Sequence, residues 1–214
     1  MSWKMRISIL LHHMRMRSER GNAAIEFAFV APAFFALMLG ILEIGTMTFA
    51  QFALQNAVTI TGRLIRTGQA QGLDYSTAAR CMGGDAVADP GNYTSSSDWY
   101  RGQICCNTYG LLQCDANKLF INVSSAASFA AAGNFSSATA NVSNVYSPGA
   151  ACDVVLVRAT YAWTIWFPGL ARLLNSSNAD YLVNIQDSTG QGAHLLSATT
   201  AFRNEPYTSG VNGC

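Results

Sequence analysis

The stretch from Gly21 to Phe49, GNAAIEFAFVAPAFFALMLGILEIGTMTF, decides how this chain is built. Its central sixteen residues, Phe27 to Leu42, carry neither a charge nor a polar side chain. As a helix they span about 24 Å, and the flanking residues extend the run to the roughly 30 Å of a hydrocarbon core. Glu26 and Glu43 bracket the run, so each carboxylate is expected near a membrane face. The stretch therefore predicts a transmembrane helix.

The charges and the cysteines on either side of this stretch predict its orientation. Residues 1–20 hold five lysines and arginines against one acid, and the next basic residue is Arg63. Because basic flanks stay in the cytoplasm, the N-terminus is expected inside and the remainder outside. The six cysteines all follow the apolar run, in the compartment where disulfides persist; they are Cys81, Cys105, Cys106, Cys114, Cys152 and Cys214.

Three interpretations of the apolar segment are open. It could be a plain signal anchor, or a secretory signal cleaved near Ala50, just before Gln51. The third interpretation rests on Gly21, which ends the basic leader, and on Glu26 and Phe27, which follow it at a fixed distance. This arrangement resembles type IV prepilins, in which a membrane peptidase cuts after the glycine and the helix stays on the product.

The resemblance narrows to one family. RGNAAIEFAFVAPAFFALMLGILEIG, followed by FAQFALQNAV, is similar to the start of TadE-like proteins, pseudopilins of the bacterial Tad (tight adherence, Flp) pilus system. The segment LLSATTAFRNEPY (Leu195 to Tyr207) resembles the C-terminal strand and R-x-E-P tail of that family. The resemblance covers roughly residues 20–66 and 152–207.

The resemblance implies a function and a set of site residues. The chain would be a minor pseudopilin of the bacterial inner membrane, needed for assembly or initiation of the pilus and so for adherence. A prepilin peptidase would cut between Gly21 and Asn22, and Glu26 would then pair with the N-terminal ammonium of a neighbouring subunit. Phe27 is a further residue expected at a helix contact, and Glu43 is expected either at the outer membrane interface or at a subunit contact. The implied partners are membrane lipid, other pilins and pseudopilins, the assembly machinery and the peptidase.

Patterning divides the chain into four regions. A cytoplasmic leader (1–21) precedes a long helix (22–67), whose half beyond Glu43 has apolar residues at helical spacing. Pro32 is expected to kink or unwind this helix, and Gly68 and Gly72 to close it. Residues 68–117, which hold four cysteines, read as an irregular, disulfide-stapled insertion. Residues 118–214 form the head, with a Ser/Ala/Asn-rich loop at 124–147.

Alternating residues predict three strands in the head, at about 118–123, 153–165 and 194–203. In the second, one alternating set is expected to pack on the long helix; its members are Val155, Val157, Ala159, Tyr161 and Trp163. The predicted fold class is α+β, a long N-terminal transmembrane helix packed on a small antiparallel β-sheet. For the cysteines, we expect two bridges among Cys81, Cys105, Cys106 and Cys114, and a third between Cys152 and Cys214.

Composition and motifs argue against several classes of function. From Asn22 onward the chain has eight lysines and arginines against eleven acids, a net charge of −3, and no basic stripe for nucleic acid. It contains no nucleophile elbow, zinc-protease or nucleotide-binding motif, so neither an enzyme nor a cofactor or metal site is predicted. The alternative to the pseudopilin is a signal-anchored extracytoplasmic binding protein that does not polymerise.

Overall fold

The structure, a computed structural model, describes residues 3–75, 81, 93–113, 115, 117–132, 144–166, 193–207 and 214, without the side chains of residues 3–22. Two helices and four strands follow one another in it: α1 (Trp3–Arg66), α2 (Ser96–Cys106), β1 (Leu119–Ala126), β2 (Val145–Tyr146), β3 (Val154–Thr164) and β4 (Ala193–Arg203). The chain divides into two compact units, Met1–Ile44 and Gly45–Cys214. The α+β class is confirmed.

Helix α1 starts earlier than predicted. It begins at Trp3 and not near Asn22, because residues 3–20 contain no proline or glycine and are rich in Met, Leu and Arg, which favour helix. It also remains α-helical through Pro32, so the predicted local unwinding is wrong. A proline in a helix removes one backbone hydrogen bond, and the many bonds on either side maintain the helix.

The end of α1 agrees with the sequence. The last basic residues, Arg63 and Arg66, lie where the helix dipole favours positive charge. Gly68 then takes a left-handed backbone conformation, with φ at +76°, and its N–H donates to the carbonyl of Ile65. Ala70 N–H donates to the carbonyl of Leu64, which completes the closure of the helix.

Helix α2 lies in the region that was expected to be irregular. Ser95, in a run of three serines at 95–97, is the N-cap of α2. Its hydroxyl accepts a hydrogen bond from the backbone N–H of Asp98 at 3.2 Å, and the Asp98 carboxylate lies in the first turn. Capping therefore starts a helix here, and the prediction of an irregular segment is wrong at residues 96–106.

The four strands form one sheet in the order β2-β1-β3-β4. Strand β3 pairs antiparallel with both β1 and β4, in a register that joins Leu119 to Tyr161 and Thr164 to Ala193. These antiparallel pairings confirm the predicted core of the sheet. The short strand β2 runs parallel to β1 and lies inside the predicted 124–147 loop, so the sheet is mixed and not purely antiparallel.

The core lies between the sheet and the second half of α1. The inward side chains of β3 from Val155 to Tyr161 are buried there, with Trp163 packed against them, as their alternation predicts. They form one hydrophobic cluster with the buried α1 residues Leu54, Val58 and Ile65. Helix α2 closes the same core with Trp99, Tyr100 and Ile104. Burial of this apolar surface is the main stabilising term of the unit.

Two glutamines of α1 cover the backbone of β4. Gln51 Nε2 donates to the carbonyl of Ser197 at 2.7 Å, and Gln55 Nε2 donates to the carbonyl of Thr199 at 3.1 Å. Strand β4 is at one end of the strand order, where unpaired carbonyls invite a second chain to pair. The glutamines satisfy two of these acceptors from within the molecule. The sequence pattern did not predict this role.

Candidate membrane helix and the contacts of the tail

The first half of α1 exposes an unusual amount of apolar surface. Between Ile25 and Ile44, twelve large apolar side chains are each more than two-fifths exposed, including Phe27 at 68% and Phe29 at 80%. The described part of α1 from Ala23 to Arg66 contains a stretch that is long and apolar enough to cross a membrane, and that stretch is 0% buried inside the structure.

The charged residues that bracket this surface differ in environment. Glu26 is exposed and Glu43 is half-buried. Because α1 begins at Trp3 in the full chain, Glu26 does not lie in its first turn. It would lie there only in a chain that starts at Asn22. Gly21 and Asn22 are themselves helical residues of α1.

Comparison with known protein families identifies this segment. Residues 21–63 match the family model of the TadE-like proteins. The match covers 43 of the 214 residues. This confirms the resemblance in the N-terminal region. No curated protein and no solved structure matches the chain.

The matched segment begins at Gly21 and ends within the last turn of α1. It therefore includes both the apolar surface and the part of α1 that packs on the sheet. It does not reach the tail from Leu195 to Tyr207, so the likeness of that tail to the family remains a prediction.

The structure shows what the tail contacts, independently of its likeness to the family. Arg66 Nε lies 3.1 Å from the Glu205 carboxylate, and the backbone N–H of Glu205 donates to the Arg66 carbonyl at 2.9 Å. Asn204 is buried, and its Nδ2 donates at 2.9 Å to the carbonyls of both Pro148 and Ala150. The tail therefore joins the end of α1 to the turn that precedes β3.

Further polar contacts strengthen this junction. Gln71, just beyond α1, donates through Nε2 to the carbonyls of Ile65 and Pro148 at 2.9 and 3.2 Å. Arg203 Nε donates to the Cys152 carbonyl at 2.9 Å. These bonds satisfy backbone acceptors that a turn cannot satisfy by itself. The sequence offered no signal for them beyond the polar character of the tail.

Disulfides fasten the second unit. Cys152 is bonded to Cys214, the pair expected from sequence, with a sequence separation of 62. Cys81 is bonded to Cys106, within the predicted group of four. Cys105 is also disulfide-bonded, while Cys114 lies outside the described residues. The disulfides of Cys105 and Cys106 therefore fasten the helix α2, where the sequence predicted only an irregular segment.

The described residues contain no group of three or more His, Cys, Asp or Glu side chains that could hold a metal ion. The perturbed tyrosines of the core are buried structural groups. Burial raises the pKa of Tyr100 and Tyr146 well above the usual value of 10, and Tyr100 donates to the Thr61 hydroxyl at 3.3 Å. Such an environment stabilises the neutral phenol.

Proposed function

We propose that this TadE-like chain is a minor pseudopilin that takes part in assembly or initiation of a Tad pilus, and so in adherence. The family match to residues 21–63 supports the association with that pilus system. In this proposal the chain is inserted in the bacterial inner membrane with the N-terminus in the cytoplasm and the second unit outside. The disulfides Cys81–Cys106 and Cys152–Cys214 support the outside location, because such bonds persist in oxidising compartments.

The exposed apolar surface of α1 is the observation that carries the proposal. Leaving twelve half-exposed large apolar side chains in water would cost on the order of 10–20 kcal/mol, at about 1.5–3 kcal/mol for each fully buried side chain. A cost of this size requires a permanent apolar environment. Lipid provides one, and the helices of neighbouring pilins provide another. Assembly is then an exchange of lipid for helix contacts on the same surface, with Phe27 among the residues exchanged.

Processing after Gly21 would prepare α1 for this exchange. The cut would remove the five basic residues of the leader and place a free ammonium on Asn22, four residues from Glu26. Two opposite charges in an apolar surrounding stabilise each other only when they are paired closely. The Glu26 carboxylate and the ammonium of a neighbouring subunit would therefore set the register between adjacent helices. Glu43 would remain at the outer membrane face or at a subunit contact.

The first test is the intact mass of the protein recovered from membranes. We expect a chain that starts at Asn22 for the natural sequence and at Met1 for the Gly21→Leu variant. Pilus assembly that continues unchanged in Gly21→Leu would overturn the pseudopilin proposal and favour a signal-anchored binding protein. A chain that starts at Gln51 would instead indicate a secreted protein.

A matched pair of variants tests the role of Glu26. Glu26→Gln should leave membrane insertion intact and impair assembly, because the neutral amide cannot pair with the ammonium. Glu43→Gln removes the same charge from the other end of the apolar run, and an equal loss of assembly in both variants would show that the effect is not specific to the pairing of Glu26 with the ammonium. Membrane insertion is measured by resistance to alkaline extraction. Loss of insertion in Glu26→Gln would assign this residue to topology and not to subunit pairing.

A further inference from the structure

Strand β4 forms one edge of the sheet in the second unit, and the hydrogen bonds show which of its backbone groups face outward. The backbone N–H of Asn204, directly after β4, donates to the carbonyl of Asp153, directly before β3. Residues of an antiparallel pair alternate between facing the partner strand and facing away from it. The even-numbered residues of β4 therefore bind β3, and the backbone groups of the odd-numbered residues point away from the sheet.

Two glutamines of α1 bind this edge at matching intervals. Gln51 donates to the Ser197 carbonyl and Gln55 to the Thr199 carbonyl, at 2.7 and 3.1 Å. Between these bonds the helix advances about 6 Å and the strand about 6.6 Å, so one helix satisfies both acceptors. Within the described part of the chain nothing accepts from the N–H groups of Ser197 and Thr199, whose side chains are exposed. The edge is therefore covered at two acceptors and open at its donors.

Strand β4 lacks the features that usually prevent a strand edge from pairing. Natural edges carry charged residues, prolines or bulges, but residues 195–202 contain no charge and no proline. The pairing of β4 with β3 also runs without a bulge from Ala193 to Arg203. At the opposite edge, by contrast, β2 pairs with β1, and the Asn144 side chain accepts from the Ile121 N–H. Of the two edges of the described sheet, β4 is the one that another strand can extend.

We propose that the β4 edge is a pairing surface for the β4 strand of a second copy of this chain, and that Gln51 and Gln55 hold it closed in the single chain. A contact between two identical edges is self-complementary about a twofold axis. All the residues that carry this inference belong to the unit Gly45–Cys214. It therefore does not depend on the membrane insertion put forward under the proposed function.

The side chains of β4 are compatible with this twofold pairing. We place Thr199 opposite its counterpart, because two threonines form a favourable cross-strand pair. Ser197 then lies opposite Ala201 of the other copy, so the centre of the contact holds small, neutral side chains. Leu195 lies opposite Arg203, so the two arginines do not face each other. Each of these pairs would exchange two backbone hydrogen bonds.

An exposed aromatic side chain of α1 favours the same position for an added strand. Phe52 is 69% exposed and lies about 60° round the helix from Gln55, on the side away from the buried Leu54. A strand that extends the sheet past the two glutamines would lie beside this side of α1. Residues 44–62 of α1 carry no charge that would oppose it. Pairing would therefore remove apolar surface from water as well as form backbone hydrogen bonds.

The two glutamines compete with the incoming strand. Its N–H groups need the carbonyls of Ser197 and Thr199, which the Gln51 and Gln55 amides already bind. Displacing one hydrogen bond of this kind weakens association by about 2- to 13-fold. Displacing both weakens it by about 5- to 150-fold. Removing both amides should strengthen dimer formation by the same factor.

The first test measures the dimer dissociation constant of the full chain in mild detergent by sedimentation velocity over a concentration series. The Gln51→Ala, Gln55→Ala double variant should have a dissociation constant about 5- to 150-fold lower than the natural chain. Asn56→Ala is the matched control, because it removes an exposed amide from the same helix and should leave the value unchanged. Circular dichroism checks that each variant is folded.

A second substitution tests whether the contact is made by β4. Thr199 is exposed, and Thr199→Lys would place two like charges directly opposite each other at the twofold axis. Added to the glutamine double variant, it should abolish the gain in association. Thr199→Met lengthens the side chain without a charge and should preserve the gain. Any association through the first unit is common to all these chains and cancels in the comparison.

The outcomes separate the proposal from its alternatives. Tighter association in the glutamine double variant, lost with Thr199→Lys and kept with Thr199→Met, supports the proposal. A folded double variant that associates no more tightly than the natural chain overturns it. A gain that persists with Thr199→Lys places the contact elsewhere and also overturns it. If the double variant does not fold, dimerisation of the natural chain that Thr199→Lys leaves unchanged overturns the proposal. None of these results alters the test of processing at Gly21.

Discussion

The contact between Gly68 and Tyr207 provides a quantitative test of how the tail closes on α1. Gly68 has φ at +76°, and a Cβ built on it would lie 2.7 Å from Cδ1 and from Cδ2 of the Tyr207 ring. Real side chains do not approach so closely, so Gly68→Ala must displace the ring. Gly72 shares the left-handed conformation, with φ at +68°, but a Cβ there would meet nothing within 4 Å. The two glycines therefore separate backbone strain from steric conflict.

The expected losses follow from these two terms. Gly72→Ala should lower the free energy of unfolding by about 1–2 kcal/mol, the cost of a left-handed conformation for an L-residue. Gly68→Ala adds the cost of overpacking, about 1–3 kcal/mol, and should lower it by about 2–5 kcal/mol in total. Urea unfolding of the full chain in mild detergent, followed by tryptophan emission, measures both variants.

A double-mutant cycle removes the remaining ambiguity. In a Tyr207→Ala background the ring is absent, so the loss caused by Gly68→Ala should fall to that of Gly72→Ala. Equal losses for Gly68→Ala and Gly72→Ala in the natural background would contradict a steric conflict between position 68 and Tyr207. So would a loss at Gly68 that persists undiminished once Tyr207 has been replaced. Either result would mean that the tail does not pack on the end of α1 as the structure has it.

Two further predictions concern the interior of the second unit. Because burial raises the pKa of Tyr100 and Tyr146 above the usual value of 10, the unfolded chain loses these protons first, and the free energy of unfolding should fall as pH rises above about 10. This alkaline loss, measured by urea midpoints across pH, should be smaller in the Tyr100→Phe, Tyr146→Phe double variant. An unchanged slope of stability against pH would contradict the burial of the two phenols. Replacing Cys152 and Cys214 together by serine should lower the free energy of unfolding by about 4 kcal/mol, the chain-entropy value for a loop of this length; an unchanged urea midpoint would show that the bond does not constrain the unfolded chain.

Some parts of the fold were predictable because their signals are local. An uncharged run of sixteen residues can only be a buried or membrane-spanning element, and residues 21–63 indeed match the TadE-like family. Alternation from Val155 to Trp163 predicted both the strand β3 and its inward face. The pairing of Cys152 with Cys214 also agreed with expectation, although sequence alone could not exclude other pairings.

Other parts depended on context that a linear pattern does not carry. The serines before α2 can break a helix or cap one, and only the hydrogen bond from the Asp98 N–H to the Ser95 hydroxyl distinguishes the two. Strand β2, two residues long, has no periodicity of its own and exists because β1 offers it a free edge. The start of α1 at Trp3 reflects the helix propensity of residues 3–20, whereas the sequence analysis began the long helix at residue 22.

Charge, periodicity and composition are properties of neighbouring residues, so they were enough to predict an apolar helix of membrane length, a head of alternating strands and cysteines placed for disulfides. The cover of the β4 edge by Gln51 and Gln55, and the contact of the tail with Arg66, became visible only in the folded chain. These contacts join residues more than a hundred positions apart, and their partners are selected by the packing of α1 on the sheet, which no local pattern encodes.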